Sequence, residues 1–339
     1  MSLSLTSHCP VCSGNEHLLR CQAWKVQFYC SRDHQVTDRD AHKKACNGIK
    51  KAQQILDTEE QKLRDHPGDF MTPPNLFEEG VGHFWGIHET RPYMRARYAL
   101  IESLLKIKTF HAVQSALSHA LDMLRLCRGD NIGVRDCMPA MFLRLGKDQE
   151  CYDFVKWYCT TGQDPHYDWS DIDLGFLDVK SADAFESVEL YTGKYASISF
   201  VVAVALIKFR LLLDVKALHN STVLSEKVPQ ELLDNIRGQL VSSIVAGNKD
   251  IMESKDQIPL IKKLESQVEE LYKAVNLSNK FFWPALLRPG SHLTARPQMY
   301  SQGTVEHMQL VLQYSYASWV ETPGAIDMIR ALAKKDSSN

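Results

Sequence analysis

The chain has 339 residues, 44% of them hydrophobic and 24% charged, with a formal net charge of −2. These proportions are ordinary for a globular protein and leave room for two domains, one of them small. They exclude a chain built mainly to grip phosphate backbones, because residues 1–50 carry only seven Lys or Arg against four Asp or Glu and show no basic stripe.

The opening MSLSLTSHCP lacks the basic start and apolar run of a secretory leader, so the expected setting is intracellular, in cytoplasm or nucleus. The Asn-x-Ser/Thr matches at Asn220 and Asn276 are accordingly read as chance. Of nine cysteines, Cys9, Cys12, Cys21, Cys30 and Cys46 fall within the first 46 residues. Thiols stay reduced in such a setting, and the cluster points to metal rather than disulfides.

Cys9-Pro-Val-Cys12 is a C-x2-C knuckle that puts two thiolates on one tight turn. Cys30 and His34 are four apart, as are His42 and Cys46, and residues at i and i+4 share a helix face. Zinc accepts thiolate and imidazole in tetrahedral geometry and needs four ligands to close a structural site. A segment of about 45 residues buries too little apolar surface to fold unaided, so metal must supply much of its stability.

Taken together, CPVC, LLRC, FYCSRDHQ and HKKAC resemble a MYND-type zinc finger. The resemblance implies two interleaved zinc sites. Cys9, Cys12, Cys30 and His34 would form the first, with His34 standing where the family pattern has Cys. Cys21, His42 and Cys46 would form the second with position 24, which here is Trp, and indole cannot ligate zinc. Three outcomes are open: His17 or water completes this site, the site is weak, or Trp24 fills the space and the second metal is absent. The family mainly binds proteins, often through proline-containing peptides. Gln35 matches the Gln that helps hold such peptides, whereas the accompanying Trp is replaced by Arg39.

The expected divisions are a finger over 1–50, a polar helix and linker over 51–80, and an α-helical domain over 81–330. NGIKKAQQILDTEEQKLRDH reads as a polar helix leading away from the finger, and PGDFMTPPN as the linker that ends it. In RYALIESLLKIK, Tyr98, Ile101, Leu104 and Leu105 share a face. In FHAVQSALSHALDMLRLC, Val113, Leu117, Ala120, Leu121 and Leu124 do the same. Ala116 and Ala120 suit a close helix approach. Asp130 or Asn131 is placed to cap the next helix, and DQECYDFVKWYC continues the pattern. This series resembles a tetratricopeptide-like hairpin stack over roughly residues 90–160, although no clean repeat is evident.

TTGQDPHYDWSDIDLGFLDVKSADAF reads as an acidic, aromatic loop that covers a helix face or orders on binding. The apolar run SISFVVAVALIKFRLLLDVKAL is interrupted by Lys208 and Arg210, so it predicts a buried helix rather than a membrane span. IPLIKKLESQVEELYKAV sets Ile261, Leu264, Val268, Leu271 and Val275 on a short coiled-coil-like seam. It is read as packing inside the domain, with a dimer as the alternative. FFWPALLRPGSHLTARP predicts a packed loop, followed by a helix near 304–318 and a terminal turn or short helix in ETPGAIDMIRAL. HFWGIHETRPYMRARYALIESLLKI, LRLGKDQECYDFVKWY and SYASWVETPGAID also resemble fungal MYND-finger proteins of undetermined function.

The fold expected is therefore mainly α, with a small zinc finger ahead of an irregular helical domain. The expected function is a zinc-binding protein-interaction module, an intracellular adaptor or regulator, with no enzymatic activity, no membrane and no nucleic acid. A transcription-linked DNA-binding protein is the alternative. Two enzyme classes carry this finger. The lysine methyltransferases need an Asn-His-x-Cys motif that is not evident. The iron and 2-oxoglutarate oxygenases need His-x-Asp and a distant His, which His166, Asp168 and either His219 or His292 match without the alternating strands of a β-barrel. Neither a phosphate-binding glycine loop nor a Gly-x-Ser-x-Gly elbow occurs. Cys127, Cys137, Cys151 and Cys159 lie in apolar patterns and read as buried thiols.

Overall fold

Polar punctuation and helical periodicity fold the chain into a mostly helical protein. A computed structural model describes residues 5, 8–21, 26–194, 196–224, 238–254 and 256–337. It divides into two units, one of Leu5–Met141 with His166–Phe176, the other of Phe142–Pro165 with Leu177–Asn339.

In the first unit, β1 (Leu19–Arg20) pairs antiparallel with β2 (Phe28–Tyr29), Leu19 facing Tyr29. Helix α1 (Arg32–Thr37) starts on Ser31, whose hydroxyl accepts the His34 N–H at 3.2 Å. Helix α2 (Arg39–Arg64) follows after Asp38 and runs for 26 residues, straight through the division expected at residue 50. Its polar composition hides an amphipathic stripe. Cys46, Ile49, Ala52, Leu56 and Leu63 are buried at spacings of three, four and seven, and α2 packs on α4 (Arg91–Leu105). The helix therefore does not lead away from the finger but joins it to the helices that follow.

The linker is a built turn. Asp69 Oδ1 accepts the N–H groups of Met71 and Thr72, both at 2.8 Å. Gly68 is left-handed at φ +84°, and a Cβ there would stand 3.0 Å from Pro74. After the short helix α3 (Leu76–Glu79), α4 carries Pro92 in its first turn, where a missing N–H costs nothing. The short connection 106–109 folds the chain back into α5 (Phe110–Leu126), which α4 packs against. Ala116 and Ala120 are fully buried, as are Val113 and Leu124, but Leu121 is 39% exposed and leaves the face expected of it. Asp130 is the residue that caps: its carboxylate accepts the N–H groups of Gly133, Val134 and Arg135 at 3.1, 2.9 and 2.9 Å, holding the 3-10 turn Val134–Asp136. Part of the acidic loop is fixed here. Arg128 donates to the carbonyls of Asp171, Leu174 and Ile172 at 2.9, 3.1 and 2.6 Å and lies over the Phe176 ring.

Next come α6 (Met138–Arg144) and α7 (Asp148–Cys159), of 7 and 12 residues against 15 and 17 for α4 and α5, so no equal hairpin recurs. The second unit is organised on α8 (Ile198–Leu224), apolar all round and buried as such a helix must be. Short helices α9 (Ser243–Ala246) and α10 (Lys249–Glu253) precede α11 (Ile258–Ser278), the principal neighbour of α8. The α11 seam packs within the unit: Leu264, Val268, Leu271 and Val275 are all buried. FFWPALL, expected as loop, forms helix α12 (Phe282–Leu287), because Pro284 falls in the first turn. A 3-10 turn, Gly290–Thr294, leads to α13 (Val305–Val320), capped by Thr304, and to α14 (Ala325–Ser337), a helix where a terminal turn or short helix is expected.

Three charges of α8 are buried and matched. Lys208, fully buried, donates to the Glu186 carbonyl at 3.0 Å and to Gln267 Oε1 at 2.7 Å. Arg210 donates to Asp148 at 2.6 Å, the Leu143 carbonyl at 2.9 Å and the Thr322 hydroxyl at 2.8 and 3.0 Å. Asp214 accepts the N–H groups of Val241 and Ser242 at 2.9 and 2.6 Å. Burial is tolerable for such groups only with partners of this kind. Among the described residues no helix is long and apolar enough to cross a membrane.

Candidate metal centre

The Cys9 knuckle is closed by its own backbone. Cys9 N–H donates to Gly14 O and Ser13 N–H to Cys9 O, each at 2.9 Å, and Gly14 N–H points at Cys12 Sγ at 3.4 Å. Strand β2 delivers Cys30 at its end, and the Ser31 cap sets His34 one helical turn further on. His34 Nδ1 then lies 3.1 Å from Cys30 Sγ and 3.5 Å from Cys9 Sγ, while Cys12 Sγ is 3.4 Å from Cys30 Sγ. All four ligand atoms lie within 4.8 Å of one another. Ligands at about 2.0–2.3 Å from one tetrahedral ion stand roughly 3.3–3.8 Å apart, so this spacing suits zinc.

The electrostatics agree. Burial pushes the Cys9 thiol up, but hydrogen bonds from the backbone of Cys30, Val11 and Cys12 and from His34 outweigh it and bring the thiol down to about 6. Cys30 is pushed up to about 11, first by its contact with Cys12, then by burial and by Cys9. Without a cation, crowded thiolates repel. A divalent ion held by Cys9, Cys12, Cys30 and His34 would remove that penalty and favour the thiolate form of the three cysteines.

The second group is Cys21, His42 and Cys46, whose ligand atoms also lie within 4.8 Å of one another. Cys21 follows β1 and is tied by its N–H to Gln27 O at 2.9 Å; His42 and Cys46 occupy successive turns of α2. The two cysteines are 5% and 8% exposed. Burial and then the neighbouring Cys21 push Cys46 up to about 12, and burial lowers His42, against the opposing pull of Asp38. His42 Nε2 is buried with no hydrogen-bond partner. Leaving such an atom unmatched costs about 1–3 kcal/mol, and a metal ion is what these residues can offer it. The donor set thus fits a soft divalent cation at both places.

One small core serves both groups. Cys9, Cys21, Tyr29 and Cys46 pack together with Leu18 and Cys30 at the edge. Tyr29, 1% exposed, donates its hydroxyl to Asp38 Oδ2 at 2.7 Å and presents its ring edge-on to His42, centroids 6.1 Å apart. The finger is also anchored to the helices. The Thr109 hydroxyl donates to Val26 O at 2.6 Å while capping α5, and the rings of Phe28 and His111 lie 4.4 Å apart. That anchor was not read from the sequence. Thr109 ahead of an apolar helix signals a cap, but nothing local names Val26 as its second partner.

His17 is exposed and stands outside the second group. Trp24 lies outside the described residues. Gln35 is half-buried within α1 and its side-chain carbonyl oxygen accepts a hydrogen bond from Arg32; Arg39 is exposed. The oxygenase triad does not assemble in any metal-capable group among the described residues. The Asp168 carboxylate accepts the Ser170 hydroxyl and N–H at 2.6 and 2.8 Å, and His292 Nδ1 pairs with Gln309 at 3.1 Å. Cys127, Cys137 and Cys151 are buried and Cys159 is half-buried, and burial pushes the last up to about 12.

The family model of the MYND finger matches residues 8–46, a span that contains both ligand groups. No curated protein and no solved structure matches the chain, so the likeness of its later segments to fungal or tetratricopeptide-like proteins has no counterpart there.

Proposed function

We propose that the protein is a zinc-stabilised interaction adaptor, in which the MYND finger, a zinc-binding protein-interaction module, is presented on a helical platform. The reading is carried by one observation: two groups of thiol and imidazole ligands converge around a single small core. On this reading Cys9, Cys12, Cys30 and His34 hold one zinc, and Cys21, His42 and Cys46 hold a second. The ions contribute the stability that so small a core lacks, and α2, rooted in the finger, carries that order to α4. The partner is a protein segment, for which we favour a proline-containing peptide. Gln35 would contact it through its amide N–H groups, its carbonyl oxygen being engaged by Arg32. The adaptor acts inside the cell and performs no chemistry of its own.

The test uses the full chain purified without added metal. Zinc is measured by elemental analysis, and an array of proline-containing peptides is probed before and after chelation. Bound zinc, with peptide signals lost on chelation and weakened by Gln35→Ala, is the expected result. Protein that carries no zinc overturns the reading.

A further inference from the structure

The two ligand groups differ in one respect that bears on what they bind. The first offers four ligand atoms, three sulfurs and one nitrogen. The second offers three, and no other Cys, His, Asp or Glu among the described residues joins it. The connection after Cys21 reads Gln22, Ala23, Trp24, Lys25 and supplies none of these four residue types. Where Cys9 is followed three residues on by Cys12, Cys21 is followed by Trp24, so the second knuckle has lost one of its two thiols.

The remaining three residues are nonetheless grouped as ligands. Cys21 and Cys46 are buried together, a ring nitrogen of His42 lies within 4.8 Å of their sulfurs, and His42 Nε2 is buried with no hydrogen-bond partner. A divalent cation with two thiolates and a neutral imidazole is charge-neutral, which suits a buried place; a neutral fourth ligand keeps it so. Zinc held by three protein groups keeps an open position for water, as a four-residue site does not.

We infer that the second group binds zinc through Cys21, His42 and Cys46 alone and takes its fourth ligand from solution, a water molecule that a small monodentate anion can displace. This rests on the zinc reading above. It makes the finger asymmetric: one ion takes all four ligands from protein, at a place where Cys12 is exposed, and the other, in a more buried place, keeps one exchangeable position and is the first to leave.

The experiment uses the full chain. Zinc release to a colorimetric chelator is followed in time, and azide is titrated into the cobalt(II)-substituted protein while its visible d–d bands are recorded. Two zinc per chain should leave in two phases, the faster at least roughly tenfold quicker, a difference of the size by which supporting groups alone tune metal affinity. Cys46→Ser should remove the fast phase. Trp24→Cys, which restores the C-x2-C spacing, should convert the fast phase to a slow one and abolish the response to azide. Should Trp24→Cys not fold, the azide titration of the wild-type cobalt protein decides alone. Two zinc leaving at one rate, with bands indifferent to azide, would mean that a protein atom closes the site and would overturn the inference. One zinc, kept in Cys46→Ser and lost in Cys30→Ser, overturns it too while leaving the first site intact. Protein without zinc overturns both this inference and the zinc reading beneath it.

Discussion

The finger and the α8 helix solve the same problem in opposite ways. Both bury groups that water would otherwise satisfy. In α8 each charge has a partner from the chain: Arg210 has Asp148 and Thr322, Lys208 has Gln267 and the Glu186 carbonyl, and Asp214 has two N–H groups. In the finger, His42 Nε2 has none, and the thiols of each group crowd one another. The three buried charges of α8 are thus matched by the chain, although His219 Nδ1 and Asp148 Oδ2 there are also buried without a partner, whereas the crowded thiols of the finger call for an ion. The difference teaches where each is vulnerable: one to substitution, the other to solution conditions.

Removing metal should separate the two most clearly. Structural zinc is worth about 10–16 kcal/mol in isolated finger peptides at neutral pH. Chelation, or Cys9→Ser, is expected to abolish protection of finger amides in hydrogen exchange while the amides of α8 and α11 keep theirs. Loss of protection in both regions at once would break the contrast.

The next largest effect lies in α8. Arg210→Ala strands the buried Asp148 carboxylate, and removing one partner of a buried pair costs about 3–5 kcal/mol. Urea unfolding should show that loss with zinc content unchanged.

A pH experiment sharpens the picture. Burial lowers Lys208 from 10.5 to about 8. Between these values the unfolded chain holds a proton that the folded chain has released, so stability gains from Lys208 as pH rises through that window. Below about 8 both states are charged and the burial penalty is fully present. Wild type should therefore gain roughly 1–3 kcal/mol over Lys208→Met between pH 7.5 and 10, read as the difference in urea midpoints. A constant difference would show that the lysine stays charged throughout.

Two smaller effects concern the finger's platform. Thr109→Val removes both the α5 cap and the bond to Val26 and should cost about 1–2 kcal/mol. It should speed zinc release more than it alters α8 exchange. Leu121→Lys, at an exposed position, should stay within about 0.5 kcal/mol of wild type in thermal unfolding.

The two Cys/His groups were legible because the spacing of C-x2-C and i, i+4 pairs is local: Cys9 with Cys12, Cys30 with His34, His42 with Cys46. The helix faces were legible for the same reason. What escaped the sequence depends on distant partners. Lys208 and Arg210 reveal that they interrupt an apolar run, but not that Gln267 and Asp148 lie opposite. The polar look of α2 concealed Ile49, Ala52 and Leu56, because a stripe of one residue per turn is thin in composition. FFWPALL read as loop because its proline was weighed as a breaker, without regard to its place in the first turn. Leu121 fits the period of its neighbours yet sits at the rim of the face, where spacing cannot tell cover from exposure.

Helix α2 has one more consequence. It carries His42 and Cys46 near its start and buries Ile49, Ala52, Leu56 and Leu63 further along. A helix advances about 100° per residue, so its azimuth at Cys46 dictates its azimuth at Leu56. The placement of His42 and Cys46 at one end and packing at the other are phase-locked like two gears on a shaft. Gly48 lies between them, with open space where its Cβ would be, so a side chain there is harmless. An extra residue there is not: it would turn the buried stripe about 100° away from α4. The chain can drift in composition between Cys46 and Ile49, but not in length.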